Sequence, residues 1–222
     1  MRGDEGRIAL WLAARSRRQW LALTCLAGAL MAMGQAPAGL PFAALAGLVW
    51  FFVLIETAPR PALTAWIAAT FYFAASMFWI VEPFLVDAAR HGVLAPFALI
   101  GLSGGLAIFW SAPVWIARRL APGRFGTAVC LSLSELARGH VLTGFPWGLV
   151  GYGWLDTPAM GWTAWIGSFG LTALTFMLGS LGGAAILSNR PRLYGGAFAC
   201  LLVILIALPL LRAPKPVQDA PS

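Results

Sequence analysis

A chain of 222 residues with 60% hydrophobic and 10% charged side chains and a mean hydropathy of +0.81 is too apolar for a water-soluble domain, where about 25% of residues are charged. Its net charge of +7 rests on fifteen basic residues, all arginine except Lys215, which fall in the gaps between apolar runs. That placement argues against nucleic-acid binding and for a role in membrane orientation.

From the amino terminus, a basic segment, 1–19, precedes the first apolar run and is expected to remain in the cytoplasm. A span needs ~20 mostly apolar residues to cross ~30 Å of hydrocarbon. Cutting the sequence at charges, prolines and turn residues predicts about seven transmembrane helices, at 20–33, 40–55, 62–81, 93–117, 125–142, 162–187 and 193–211. The first two are short for full spans. The expected fold class is therefore an all-α polytopic membrane protein, with a helical domain over 20–211 and a tail over 212–222.

With the amino terminus cytoplasmic, the inner segments carry Arg2, Arg7, Arg15, Arg17, Arg18, Arg60, Arg118, Arg119, Arg124, Arg190 and Arg192, against Arg90, Arg138, Arg212 and Lys215 outside. The positive-inside rule favours this orientation and a periplasmic carboxyl terminus. A cleavable signal peptide ending near Ala36-Pro37-Ala38 is the competing reading. The long leading region and the apolar segment that follows at once argue against it.

Trp20, Trp50, Trp79, Trp115, Trp147 and Trp162 fall near predicted helix ends, where an indole anchors in the headgroup layer. Gly101-x-x-x-Gly105 and Gly179-x-x-x-Gly183 each put small residues on one helix face and predict close helix contacts. Gly101-Leu102-Ser103-Gly104-Gly105 also matches a nucleophile pattern, with His140 as a nominal base. A nucleophile elbow needs a strand-turn-helix context, however, and an intramembrane protease of the rhomboid kind needs its histidine within a later helix. The expected role of Ser103 is packing. Cys25, Cys130 and Cys200 lie far apart in apolar segments and are read as small buried hydrophobes, so no disulfide, metal or cofactor is expected.

The most informative stretch runs from Ser134 through Glu135, Arg138, Gly139 and His140 to Gly144-Phe145-Pro146-Trp147. Glu135 and Arg138 share a helix face at i,i+3, about two turns inside the predicted outer helix end. A carboxylate at membrane depth is paired, neutralised or functional. Two readings stand: an ion pair that fixes the loop to the bundle, or a polar station for a lipid headgroup. The loop that follows combines Phe145, Trp147, Tyr152 and Trp154 with several glycines, a composition suited to a surface that lipids approach laterally.

Together with Gly28 to Pro41, Trp79-Ile80-Val81, Gly151-Tyr152, Asp156-x-Pro158 and Gly161, this stretch resembles the membrane domain of bacterial apolipoprotein N-acyltransferases over essentially the whole chain. The resemblance departs at His140, where that family carries a bulky residue after Arg-Gly. It implies seven helices ahead of a nitrilase-like periplasmic domain and a location in the bacterial inner membrane. It also implies two substrates, a phospholipid acyl donor and a diacylglyceryl lipoprotein acceptor, and chemistry by a Glu-Lys-Cys triad through a thioester. None of the triad is assignable in this chain, so no catalytic residue is expected here and the chain reads as the membrane half of such an enzyme, inactive alone. The expected substrate-binding residues are Glu135, Arg138, Phe145, Trp147 and Tyr152. A non-catalytic membrane scaffold or lipid-binding subunit is the alternative, and a rhomboid-like protease using Ser103 is a third reading.

Overall fold

A computed structural model describes residues 5–120, 123–141 and 144–211, with side chains from Ile8 onward. The predicted tail with Arg212 and Lys215, the helix end at residue 142, and Arg2 lie outside the described residues. Every regular element described is helical.

In chain order, α1 (Glu5–Ala13) and α2 (Arg17–Ala32) replace the single basic segment expected at the start. The Ser16 hydroxyl accepts from the Gln19 amide and the Gln19 side chain accepts from the Ser16 amide, a reciprocal cap that starts α2 ahead of its apolar run. Next come α3 (Pro41–Thr57) and α4 (Pro61–Ser76), each opened by a proline whose missing N–H falls where no helical partner exists. Short 3-10 and helical turns follow, among them α5 (Glu82–Leu85) and α6 (Ala88–His91). The bundle is completed by α7 (Ala95–Leu106), α8 (Ile108–Leu120), α9 (Arg124–Arg138), α10 (Thr163–Leu187) and α11 (Pro191–Leu211).

All seven predicted helical segments are present as helices, but with corrected limits. The segment predicted at 62–81 ends at Ser76 and turns by 67° into Phe78–Leu85. The 93–117 segment is two helices meeting at Ala107. The 162–187 segment breaks at Gly167, whose φ of 69° and ψ of 175° suit glycine and no L side chain. By length and composition, Ala88–Leu120, Pro158–Leu187 and Pro191–Leu211 are able to cross a bilayer, and the bent pair adds a fourth if taken as one span.

Helix α4 packs against α2, α7 and α8, while α10 packs against α3, α9 and α11. With no hydrophobic drive between helices in lipid, close approach depends on small residues. A Cβ on Gly28 would collide with the Ala68 carbonyl oxygen, so α2 and α4 touch backbone to backbone. Gly179 and Gly183 admit Leu48 and Phe52 of α3, the contact predicted from their spacing. The other predicted pair makes no such contact: Gly101 and Gly105 face open space, and of the glycines in this stretch only Gly104 meets a neighbour, Trp66, whose indole donates to its carbonyl.

The core centres on Trp110 of α8, whose ring stacks on Tyr72 and meets Phe51, Phe73 and Phe176 at centroid distances of 5.2–5.8 Å. Outward faces are also apolar, with Phe97 71% and Ile100 65% exposed, the pattern of a surface that meets lipid. The connections at 33–40, 77–94 and 144–162 gather at one end of the bundle, where Gly34 meets Gly153 and Trp79 meets Trp147, and those at 58–60 and 188–190 lie at the other, with the end of α8 and the start of α9. At that second end Arg118 donates to the carbonyls of Ile55 and Glu56, closing the carboxyl end of α3.

Candidate functional site

At the first end of the bundle, α9 stops at Arg138 and the chain doubles back through Gly144-Phe145-Pro146-Trp147. Arg138 holds that turn. Its Nε donates to Glu135 Oε1 at 3.0 Å and its Nη2 to Oε2 at 2.7 Å, a two-pronged ion pair inaccessible to solvent. The Trp110 indole donates to Glu135 Oε1 at 3.0 Å, so both carboxylate oxygens are occupied. Arg138 Nη1 donates to the carbonyls of Phe145 and Trp147, and the Phe145 amide donates back to the Arg138 carbonyl. The guanidinium also lies over the Phe73 ring. Burying both charges is tolerable because each has partners for its hydrogen bonds.

Side chains from other helices secure the loop further along. The Tyr72 hydroxyl donates to the Gly148 carbonyl at 2.9 Å, and Gln35 Nε2 donates to Tyr72 Oη and to the Leu149 carbonyl. Thr172 of α10 accepts from the Gly151 amide, Thr175 accepts from the Trp154 indole, and the Trp162 indole donates to the Leu205 carbonyl of α11. A glycine-punctuated segment is thus held by polar groups drawn from α4, α9, α10, α11 and the connection between α2 and α3.

The residues expected to bind substrate occupy different environments. Glu135 and Arg138 are buried in the ion pair, in the last turn of α9 and not two turns inside it, because the helix ends at Gly139. Phe145 is half-buried and packs on the large core. Trp147 is 57% exposed, its ring edge-to-face with exposed Trp79 at 6.0 Å. Tyr152, half-buried, lines a cleft of about 140 Å³ with Gly34, Pro37, Gly39, Asp156 and Thr157.

Next to Trp147 lies a surface that the sequence reading took for the end of one helix and the start of the next. Phe78, Trp79, Leu85, Val86, Val93 and Leu94 of the bent segment are all exposed, interleaved with exposed Glu82, Asp87, Arg90 and His91. Sequence reasoning also missed Gln35, Tyr72 and Trp110. Gln35 alone offered a signal, a lone amide between two apolar runs.

Ser103 is buried with an unpartnered hydroxyl, whereas His140 is exposed at the end of α9, its Nδ1 2.8 Å from the Leu136 carbonyl. The two form no nucleophile–base pair. Cys25, Cys130 and Cys200 sit on α2, α9 and α11. Among the described residues no group of three His, Cys, Asp or Glu side chains could hold a metal ion.

Residues 27–181 match the family described as the Apolipoprotein N-acyltransferase N-terminal domain. The chain is 37% identical over 168 residues to the apolipoprotein N-acyltransferase of Caulobacter vibrioides, a match covering 71% of this chain and 32% of that protein. It is 33% identical over 169 residues to that of Rhizobium leguminosarum bv. trifolii, covering 68% of this chain and 32% of the relative. To that of Rhodopseudomonas palustris it is 38% identical over 122 residues, 53% of this chain and 23% of the relative. The matched region thus spans about a third or less of these curated relatives.

Proposed function

The chain belongs to the apolipoprotein N-acyltransferase family, and we propose that it forms the membrane-embedded part of an enzyme that moves a fatty acyl chain from a phospholipid to the amino-terminal cysteine of a diacylglyceryl lipoprotein. The observation that carries this reading is the aromatic turn at 144–147. It is fixed to the bundle by a buried, hydrogen-bonded ion pair and presents Trp147 beside Trp79 on an exposed apolar surface. An indole pair at headgroup level, on a backbone held by buried hydrogen bonds, is suited to guiding a lipid sideways out of the bilayer.

In this reading the protein lies in the bacterial inner membrane with seven spans, α2, α3, α4, α7 with α8, α9, α10 and α11. Its amino terminus is cytoplasmic and the 139–162 loop periplasmic. Alternation of the connections between two ends of the bundle supports this count, and the exposed arginines at the second end, Arg60, Arg118, Arg119, Arg190 and Arg192, support the orientation. Covalent catalysis needs a nucleophile activated by a neighbouring base. The three cysteines lie on separate helices and none is bonded to a carboxylate among the described residues, so the reading assigns catalysis to a nitrilase-like unit acting in cis or in trans.

Two measurements test this. A periplasm-active reporter fused after residue 222 is active and one fused after residue 189 is silent; the reverse pattern overturns the orientation. Cells depleted of their own N-acyltransferase are not rescued by the 222 residues alone. Rescue would overturn the assignment of catalysis to another unit, and no rescue even when the nitrilase-like unit is supplied would favour a membrane scaffold without a part in acyl transfer.

A further inference from the structure

The opposite end of the bundle carries a groove remote from the turn at 144–147. Helices α2 and α4 start side by side there and run together until Gly28 meets Ala68, the point of backbone contact. Gly28 lies 11 residues beyond Arg17, ~16 Å along the helix. Below that contact a groove of about 440 Å³ opens between the two helices, walled by Trp20, Leu21, Leu63 and Ile67 and bordered by Arg17 and Arg60.

Three features give the groove one chemistry. Both arginines are exposed, and neither guanidinium has an ion pair or hydrogen bond among the described residues. Among the described residues no carboxylate lines it. Two helix amino termini converge on it, and that of α4, opened by Arg60 and Pro61, receives no side-chain cap. Positive helix ends and two guanidiniums together favour a phosphate, while Leu21, Leu63 and Ile67 line the groove with apolar surface.

We propose that the groove between the amino-terminal ends of α2 and α4 binds one anionic phospholipid, its phosphate between Arg17 and Arg60 and an acyl chain along Leu21, Leu63 and Ile67. The proposal rests on the chain's residence in a membrane but not on the acyl-transfer reading. Basic pockets between helices, at the face of a bilayer where anionic lipids are enriched, bind such headgroups. A lipid there bridges α2 to α4 at the end where their backbones no longer touch.

The test is native mass spectrometry of the purified 222-residue protein in detergent, titrated with phosphatidylglycerol, phosphatidylethanolamine or inorganic phosphate. One phosphatidylglycerol is retained in preference to phosphatidylethanolamine, and the double variant Arg17→Gln/Arg60→Gln weakens its retention roughly 30-fold, as expected on removing two cations from an anionic headgroup. The control Arg190→Gln/Arg192→Gln, also exposed and basic, leaves retention unchanged. Ile67→Trp fills the groove without altering charge and also lowers retention, which keeps the test decisive if the arginine variant folds poorly. Equal retention by the variants and the parent overturns the proposal. So does displacement of the lipid by millimolar phosphate, which would make the site one for small anions.

Discussion

The turn at 144–148 and the ribbon at 78–94 lie side by side and meet at Trp147 and Trp79, yet they are built in opposite ways. In the turn, buried donors and acceptors are matched: Arg138 holds two carbonyls and a carboxylate, Tyr72 a third carbonyl and Gln35 a fourth. In the ribbon, four short helical pieces expose most of their large apolar side chains, and no side chain of residues 78–94 is buried, Ile80, Val81 and Phe84 being half-buried. One region derives its shape from internal bonds. The other depends on what surrounds it, and an apolar surface of that kind is stable against lipid and not against water.

If that contrast is right, the largest loss of folded protein follows from breaking the turn's polar bonds. Arg138→Ala leaves Glu135 buried and uncompensated and frees two carbonyls, a change of about 3–5 kcal/mol. It is expected to lower the amount of protein in the membrane and its melting temperature in detergent. Arg138→Lys keeps the charge but not the fork, and restores only part of the loss. Wild-type abundance of Arg138→Ala would refute the role given to the pair.

Tyr72→Phe removes the hydroxyl between Gln35 and Gly148 and leaves both with one partner fewer, for about 2 kcal/mol of stability, read as a melting shift at constant helix content. A smaller effect is expected from Phe145→Ala. Its ring is half-buried against the core, so its truncation costs about 1 kcal/mol, roughly half of what a fully buried ring contributes.

The same contrast governs what could be read in advance. Helices α3, α4 and α11 were legible because Pro41, Pro61 and Pro191 punctuate long apolar runs. The Glu135–Arg138 pair was legible because helical spacing alone puts the two on one face. The 67° turn after Ser76 was not, since Phe78 to Val81 continue the apolar run of the preceding helix without a charge or proline to mark the bend. Nor was the break at Gly167, one glycine among several in an apolar run. Tyr72 and Gln35 are separated from the turn and Trp110 from Glu135 by 25 to 114 residues, and no local pattern joins residues so distant.

The central claim is that the rigid turn and the apolar ribbon jointly present Trp147 and Trp79 to lipid. The most direct test is acyl transfer by a full-length apolipoprotein N-acyltransferase into which these helices are built with Trp79→Ala and Trp147→Ala combined. Both rings are exposed and their mutual contact is worth about 1 kcal/mol, so abundance and melting temperature should hardly change. The account predicts normal amounts of enzyme with slowed formation of the acyl-enzyme from phospholipid, at every lipid concentration below saturation. Normal amounts with an unchanged rate would contradict it.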